Sequence, residues 1–135
     1  MCIRDRDLAI KQVKGDGSRK VAIFEDPNCG YCKQLRKTME DVDNITVYTF
    51  LYPILSPDSN VKVRDVWCSK DPGKAWDDWM LRGQKPATAN CSVPEDKLLA
   101  LGKQLMVRGT PTLFFPDGSR ISGALPLDQL KARLN

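Results

Sequence analysis

The stretch VAIFEDPNCGYCKQL, from Val21 to Leu35, constrains the fold more than any other part of the chain. It opens with VAIF, apolar without alternation, the pattern of a strand covered on both faces. DPNCG is a cluster of chain breakers. From Tyr31 onward, Cys32, Leu35, Met39 and Val42 recur at helical spacing, and Lys33, Arg36 and Lys37 fall off that stripe. A buried strand turning directly into a helix is the building unit of an α/β sheet. Here the turn carries two cysteines, Cys29 and Cys32, two residues apart.

A C-x-x-C serves as half of a zinc site, as a structural staple or as a working redox pair. Its place at the head of a helix favours redox work. Unsatisfied backbone N–H groups and the helix dipole favour negative charge there, and the thiolate is the species that attacks a disulfide. Lys33 and Arg36, in the first turns, are expected to add to this field. Cys32 lies one turn further in, on the core side, in reach of a short disulfide with Cys29. Cys29 is therefore read as the attacking sulfur and Cys32 as the resolving one.

The 135 residues contain no histidine. This excludes Ser-His-Asp and Cys-His catalysis and every His-ligated metal site. Zinc would need Cys29, Cys32, Cys68 and Cys91, and the last two are too far apart in sequence to resemble a ribbon or finger. The alternative of a four-cysteine zinc module stays open on these grounds alone. The net charge of +4 is spread among interleaved acids, so no basic patch points to nucleic acid. No apolar run approaches the roughly 20 residues of a membrane span. Five cysteines in a chain of this size point to an oxidising compartment. The opening MCIRDRDLAI lacks the apolar stretch of a secretory signal. Residues 1–7 read as a non-native or linker leader, and Cys2 carries little weight.

The remaining elements follow from pattern and punctuation. Residues 8–13 alternate as a strand, KGDGSRK is a turn, and residues 45–54 form a second buried strand. Ser56-Pro57 and Asp71-Pro72 each open a helix, with the polar residue as N-cap and proline at the first helical position, the second helix being the shorter. Pro94 opens another helix. Residues 112–115 and 120–122 form a hairpin about PDGS, and Leu127, Leu130 and Leu134 mark a last amphipathic helix. Trp67, Trp76 and Trp79 read as helix-core packing. The order is β-β-α-β, a helical insertion at about 56–92, then α-β-β-α, with residues 8–135 as one domain. GTPTLFF puts Thr110-Pro111 at a strand head, where proline's missing donor is tolerated. A cis bond there would set the ring against the cysteine pair and free the Thr110 backbone for a partner chain; an ordinary trans proline is the alternative.

FEDPNCGYC followed by a helix, and RGTPTLFF before a closing hairpin and helix, resemble the thioredoxin fold. With VWCSKDPGKAWDDWM, ANCSV and LGKQLMVRGTP, the chain is similar to the catalytic domain of the DsbC-type periplasmic disulfide isomerases over nearly all of 21–134. The resemblance implies an α/β thioredoxin fold with a helical insertion, and a thiol:disulfide isomerase or oxidoreductase. It implies a redox pair of Cys29 and Cys32 around Gly30 and Tyr31, and a substrate-receiving loop at Thr110 and Pro111. It further implies a structural disulfide between Cys68 and Cys91, worth about 3 kcal/mol in the chain-entropy account. Implied partners are misfolded disulfide-containing proteins and a membrane thiol reductase as electron donor, with no metal or organic cofactor. The implied location is the periplasm. The family's N-terminal dimerisation domain is missing here, so a monomer is expected, and a monomeric thioredoxin-like oxidoreductase of specific partners is the alternative. Thioredoxins keep a buried acid six residues before the first cysteine; that position is Ile23, so no proton acceptor is expected there. Glu25 and Asp26 are nearer, Asp26 reading as a turn residue.

Overall fold

The computed structural model describes residues 7–134; Cys2 and the rest of the leader through residue 6 lie outside the described residues. The elements are β1 (Ile10–Lys14), β2 (Arg19–Glu25), α1 (Gly30–Met39), β3 (Ile45–Leu51), α2 (Pro57–Trp67), α3 (Pro72–Arg82), α4 (Glu95–Gln104), β4 (Thr112–Phe114), β5 (Arg120–Ser122) and α5 (Leu127–Leu134). The five strands pair in the order β1-β3-β2-β4-β5. β2 and β3 are parallel and the other pairs antiparallel. The α/β thioredoxin-like architecture expected from the sequence is the one found, with helices α2 to α4 between β3 and β4.

β2 is central and buried on both sides, and its register with β3 runs unbroken from Arg19↔Ile45 to Glu25↔Leu51. Its alternating residues feed two cores. Val21 and Ile23 pack with Leu35, Met39, Val47, Leu113 and Leu130. Ala22 and Phe24 pack with Phe50, Tyr52, Val63, Trp76 and Leu98. Phe24 is stacked on Phe50, with centroids 4.9 Å apart, and meets Tyr52 and Phe114 edge-on.

Three local outcomes differ from the sequence reading. The strand expected over 45–54 ends at Leu51, because the amides of Ile54 and Leu55 donate to Asp26 Oδ2 instead of to a ladder. Ser56 stands at the N-cap of α2 without capping it; its Oγ accepts from Asn28 Nδ2 at 3.3 Å. α3 is as long as α2, 11 residues each. Asp71 caps it through the Lys74 amide, and Gly83 closes it at φ 68°, a conformation glycine adopts without penalty. No described helix is long and apolar enough to cross a membrane.

Candidate active site

The strand-to-helix turn after β2 is held by Asp26. Its carboxylate is fully buried and accepts from the Asn28 amide (2.7 Å), Ser59 Oγ (2.7 Å) and the Ile54 and Leu55 amides (2.8 and 2.9 Å). A buried carboxylate is tolerated when its lone pairs are filled in this way. The bonds tie the turn carrying Cys29 to the segment after β3. The sequence reading of Asp26 as a turn residue is therefore correct, with the added reach to Ser59. Trp79 makes a second tie: its Nε1 donates to Pro27 O at 2.6 Å.

Cys29 is the N-cap of α1. Its Sγ accepts from the Cys32 amide at 3.1 Å, so one of the N–H groups left free at the head of the helix points at the sulfur. As a thiol, the same sulfur donates to Thr110 O at 3.4 Å. Among the described residues Cys29 and Cys32 are both buried and free of any disulfide. Gly30 opens α1 facing empty space, and Tyr31 beside it is 68% exposed. The Thr110–Pro111 peptide bond is cis, and Thr110 Oγ1 is buried without a hydrogen bond among the described residues. The loop before it is pinned by Tyr52, whose hydroxyl donates to Val107 O at 3.2 Å.

Cys32 lies in a different setting. Burial pushes its thiol far above the ordinary range; the negative charge of Glu25 and the hydrogen bond with Cys29 push the same way, and the Asp26 backbone opposes them. Glu25, noted from the sequence only as lying near the site, is fully buried. Its carboxylate accepts from Arg36 Nε (3.0 and 3.3 Å) and Trp76 Nε1 (3.0 Å). Burial raises this carboxyl above the usual carboxylate range, against the pull of Arg36 and Trp76. Ile23 is buried and apolar, as expected.

Two sequence expectations are corrected here. Arg36 does not lie off the buried stripe: it turns inward to Glu25 and Thr49. Lys33 Nζ rests over the Trp79 ring at 4.5 Å, with Lys62 over the same ring at 4.6 Å. Both cations expected to reinforce the field at Cys29 are thus engaged elsewhere, and the Cys32 amide supplies the local polarity. An arginine in the first turns beside a strand ending in glutamate was the one available signal for the buried pair.

Cys68 and Cys91 are bonded to each other across 23 positions. Cys68 is the C-cap of α2, and Cys91 lies between α3 and α4. With these sulfurs bonded together, a site using all four cysteines as metal ligands is not formed.

Residues 6–135 match the family model described as a thioredoxin-like domain. A crystal structure of a disulfide interchange protein from Neisseria gonorrhoeae superimposes with a TM-score of 0.90 at 44% identity, covering 94% of this chain and 93% of that one. The chain belongs to the DsbC-type disulfide interchange family of thioredoxin-like proteins. It is 73% identical over 128 residues to the probable thiol:disulfide interchange protein DsbC of Bordetella pertussis, covering 95% of this chain and 46% of that protein. It is 35% identical over 119 residues to DsbC of Escherichia coli, covering 85% of this chain and 50% of that protein. The chain thus spans about half the length of the curated relatives it matches.

Proposed function

We propose that this domain carries out thiol–disulfide exchange on protein substrates through Cys29 and Cys32. One observation carries the reading: Cys29 Sγ sits at the head of α1 between the Cys32 amide and the Thr110 carbonyl. In the proposed step, the Cys29 thiolate attacks one sulfur of a substrate disulfide. A Cys29–substrate bond forms, and the other substrate sulfur leaves as a thiolate. Another substrate thiolate then attacks the substrate sulfur of this mixed disulfide, a new substrate disulfide forms, and Cys29 leaves as a thiolate with the substrate re-paired. Otherwise the Cys32 proton passes to solvent and Cys32 attacks Cys29 Sγ. The substrate thiolate then leaves with the bonding electrons, the substrate is reduced by two electrons and the pair is oxidised.

In this reading Gly30 and Tyr31 tune the pair, and exposed Tyr31 offers substrate an apolar contact. Thr110 and Pro111 receive the substrate strand. Cys68–Cys91 is the structural disulfide, and residues 8–135 are the catalytic domain with its helical insertion at about 56–92. Misfolded disulfide-containing proteins are the substrates, a membrane thiol reductase renews the reduced pair, and the compartment is the periplasm. The Cys68–Cys91 bond supports an oxidising location.

The test follows thiol release and substrate trapping. Cys29→Ser abolishes release from an aromatic disulfide, and Cys32→Ser accumulates the mixed disulfide at Cys29. Non-reducing peptide mapping yields Cys68 linked to Cys91; a Cys29–Cys68 link would defeat the scheme. A monomeric thioredoxin-like oxidoreductase of specific partners is the second reading. We expect the chain alone to be a monomer that reduces insulin faster than it rescues a scrambled substrate. Isomerase rates equal to those of a full-length relative would refute that expectation.

A further inference from the structure

Between α4 and β4 the backbone is held at one carbonyl after another. α4 ends on the two bonds of a left-handed cap: the Val107 amide donates to Gly102 O at 2.8 Å and the Met106 amide to Lys103 O at 3.0 Å. The turning residue of that cap is Met106, at φ 59°. Glycine usually takes this place, because a side chain is penalised in the left-handed region. Arg120 of β5 stands opposite Phe114 in the β4–β5 register and lies over its ring, 4.9 Å from the centroid. From there its guanidinium reaches the cap: Nη1 donates to Met106 O at 3.2 Å and Nη2 to Leu105 O. One planar fork thus takes two carbonyls that the end of the helix leaves free. A cation is also favoured at that pole of the helix dipole. Further along, the Tyr52 hydroxyl donates to Val107 O at 3.2 Å, the Thr112 hydroxyl to Gly109 O at 2.7 Å and the Gly123 amide to Pro111 O at 2.9 Å.

We propose that Arg120 is a positioning residue for the substrate-receiving loop: by holding Met106 in its left-handed turn it fixes where Thr110–Pro111 stands against Cys29, and so sets how tightly a substrate strand is held. This rests on the exchange reading above. The contacts are continuous from β5 to the cysteine. Arg120 fixes the Leu105 and Met106 carbonyls, Tyr52 fixes the next one, and the Thr110 carbonyl beyond them lies 3.4 Å from Cys29 Sγ. The fork matters because a methionine does not favour this conformation by itself. Without the fork, the backbone at Met106 relaxes toward ordinary negative φ. The Val107 bond to Gly102 then opens, and the chain leading to Thr110 is displaced. Met106→Gly removes the dependence, because glycine keeps the left-handed turn without a side-chain tie. The surroundings of the sulfur itself, led by the Cys32 amide, do not involve Arg120. A displaced loop therefore weakens the grip on a peptide strand, while a small disulfide with no peptide backbone does not sense it.

The experiment measures turnover, with dithiothreitol as reductant, on a quenched fluorescent peptide disulfide and on bis(2-hydroxyethyl) disulfide. Arg120→Leu keeps an apolar side chain beside Phe114 and removes the donors. In it, KM for the peptide rises about fivefold and kcat is unchanged. The small disulfide reacts at the rate of the unsubstituted chain. Combining Arg120→Leu with Met106→Gly returns the peptide KM to within about twofold of the unsubstituted chain. An unchanged peptide KM in Arg120→Leu overturns the proposal. Equal slowing on both disulfides also overturns it, since that is general damage to the fold. A double variant no better than Arg120→Leu does so too, because the left-handed turn would then not be the link. If Arg120→Leu has no cooperative urea transition, Arg120→Lys decides. Its single ammonium cannot fork onto two carbonyls, so a smaller rise in peptide KM is expected, and an unchanged KM overturns the proposal. Failure of the unsubstituted chain to turn over either disulfide would instead defeat the exchange reading.

Discussion

Cys29 and Cys32 share one motif and differ in every physical respect that matters. Cys29 receives an amide at the helix head; Cys32 is walled in by the core and by the Glu25 charge. The consequence is measurable as stability. The Cys32 thiol is raised in the folded chain, so the unfolded chain loses that proton first as pH rises. The stability carried by protonated Cys32 is therefore complete below about pH 9, its ordinary value. It is lost above that at up to about 1.4 kcal/mol per pH unit. Urea titrations of the reduced domain between about pH 9 and 10.5 are expected to fall by that slope relative to Cys32→Ser, and parallel curves would refute it. Asp26 gives a second residue-scale prediction. Asp26→Asn sets an amide against three backbone donors and a hydroxyl. The loss is expected at about 2–4 kcal/mol in denaturant unfolding.

Elements here are positioned by few contacts that act at a distance from the cysteines. α4 approaches the sheet closely because Gly102 lies against the Tyr52 ring, where a Cβ would overlap the ring atoms. Tyr52 in turn holds Val107, at the entrance to the Thr110–Pro111 loop. Gly102→Ala gains about 1 kcal/mol in helix propensity and loses about 1–3 kcal/mol to overpacking. Net destabilisation and slower thiol release from Cys29 are expected, read from the urea midpoint and the first-release rate. The order of the strands, the proline-opened helices and the hairpin were legible from alternation and punctuation, although β1 runs over Ile10–Lys14 and not from residue 8. The true end of β3 was not, because Ile54 and Leu55 are apolar and β-compatible, and only the Asp26 carboxylate, brought from β2, takes their amides out of the ladder.

For the whole molecule, the Cys68–Cys91 bond ties the end of α2 to the segment between α3 and α4. Replacing both by serine is expected to cost about 3 kcal/mol of stability through the larger entropy of the unfolded chain. The first thiol release by Cys29 should be unchanged, both being read from denaturant unfolding and release kinetics. The sequence by itself determined the element order, the redox-type spacing of Cys29 and Cys32 and the candidate loop at Thr110-Pro111, because these rest on local periodicity, breakers and residue chemistry. Only the tertiary structure decided that Arg36 faces inward and Lys33 lies over Trp79. It alone brought Glu25, Arg36, Trp76 and Asp77 from three elements to the core side of Cys32. Glutamate and arginine read as solvent residues in sequence because charges are rarely buried. Whether such a pair is buried depends on partners supplied across the sheet, and no local pattern encodes them.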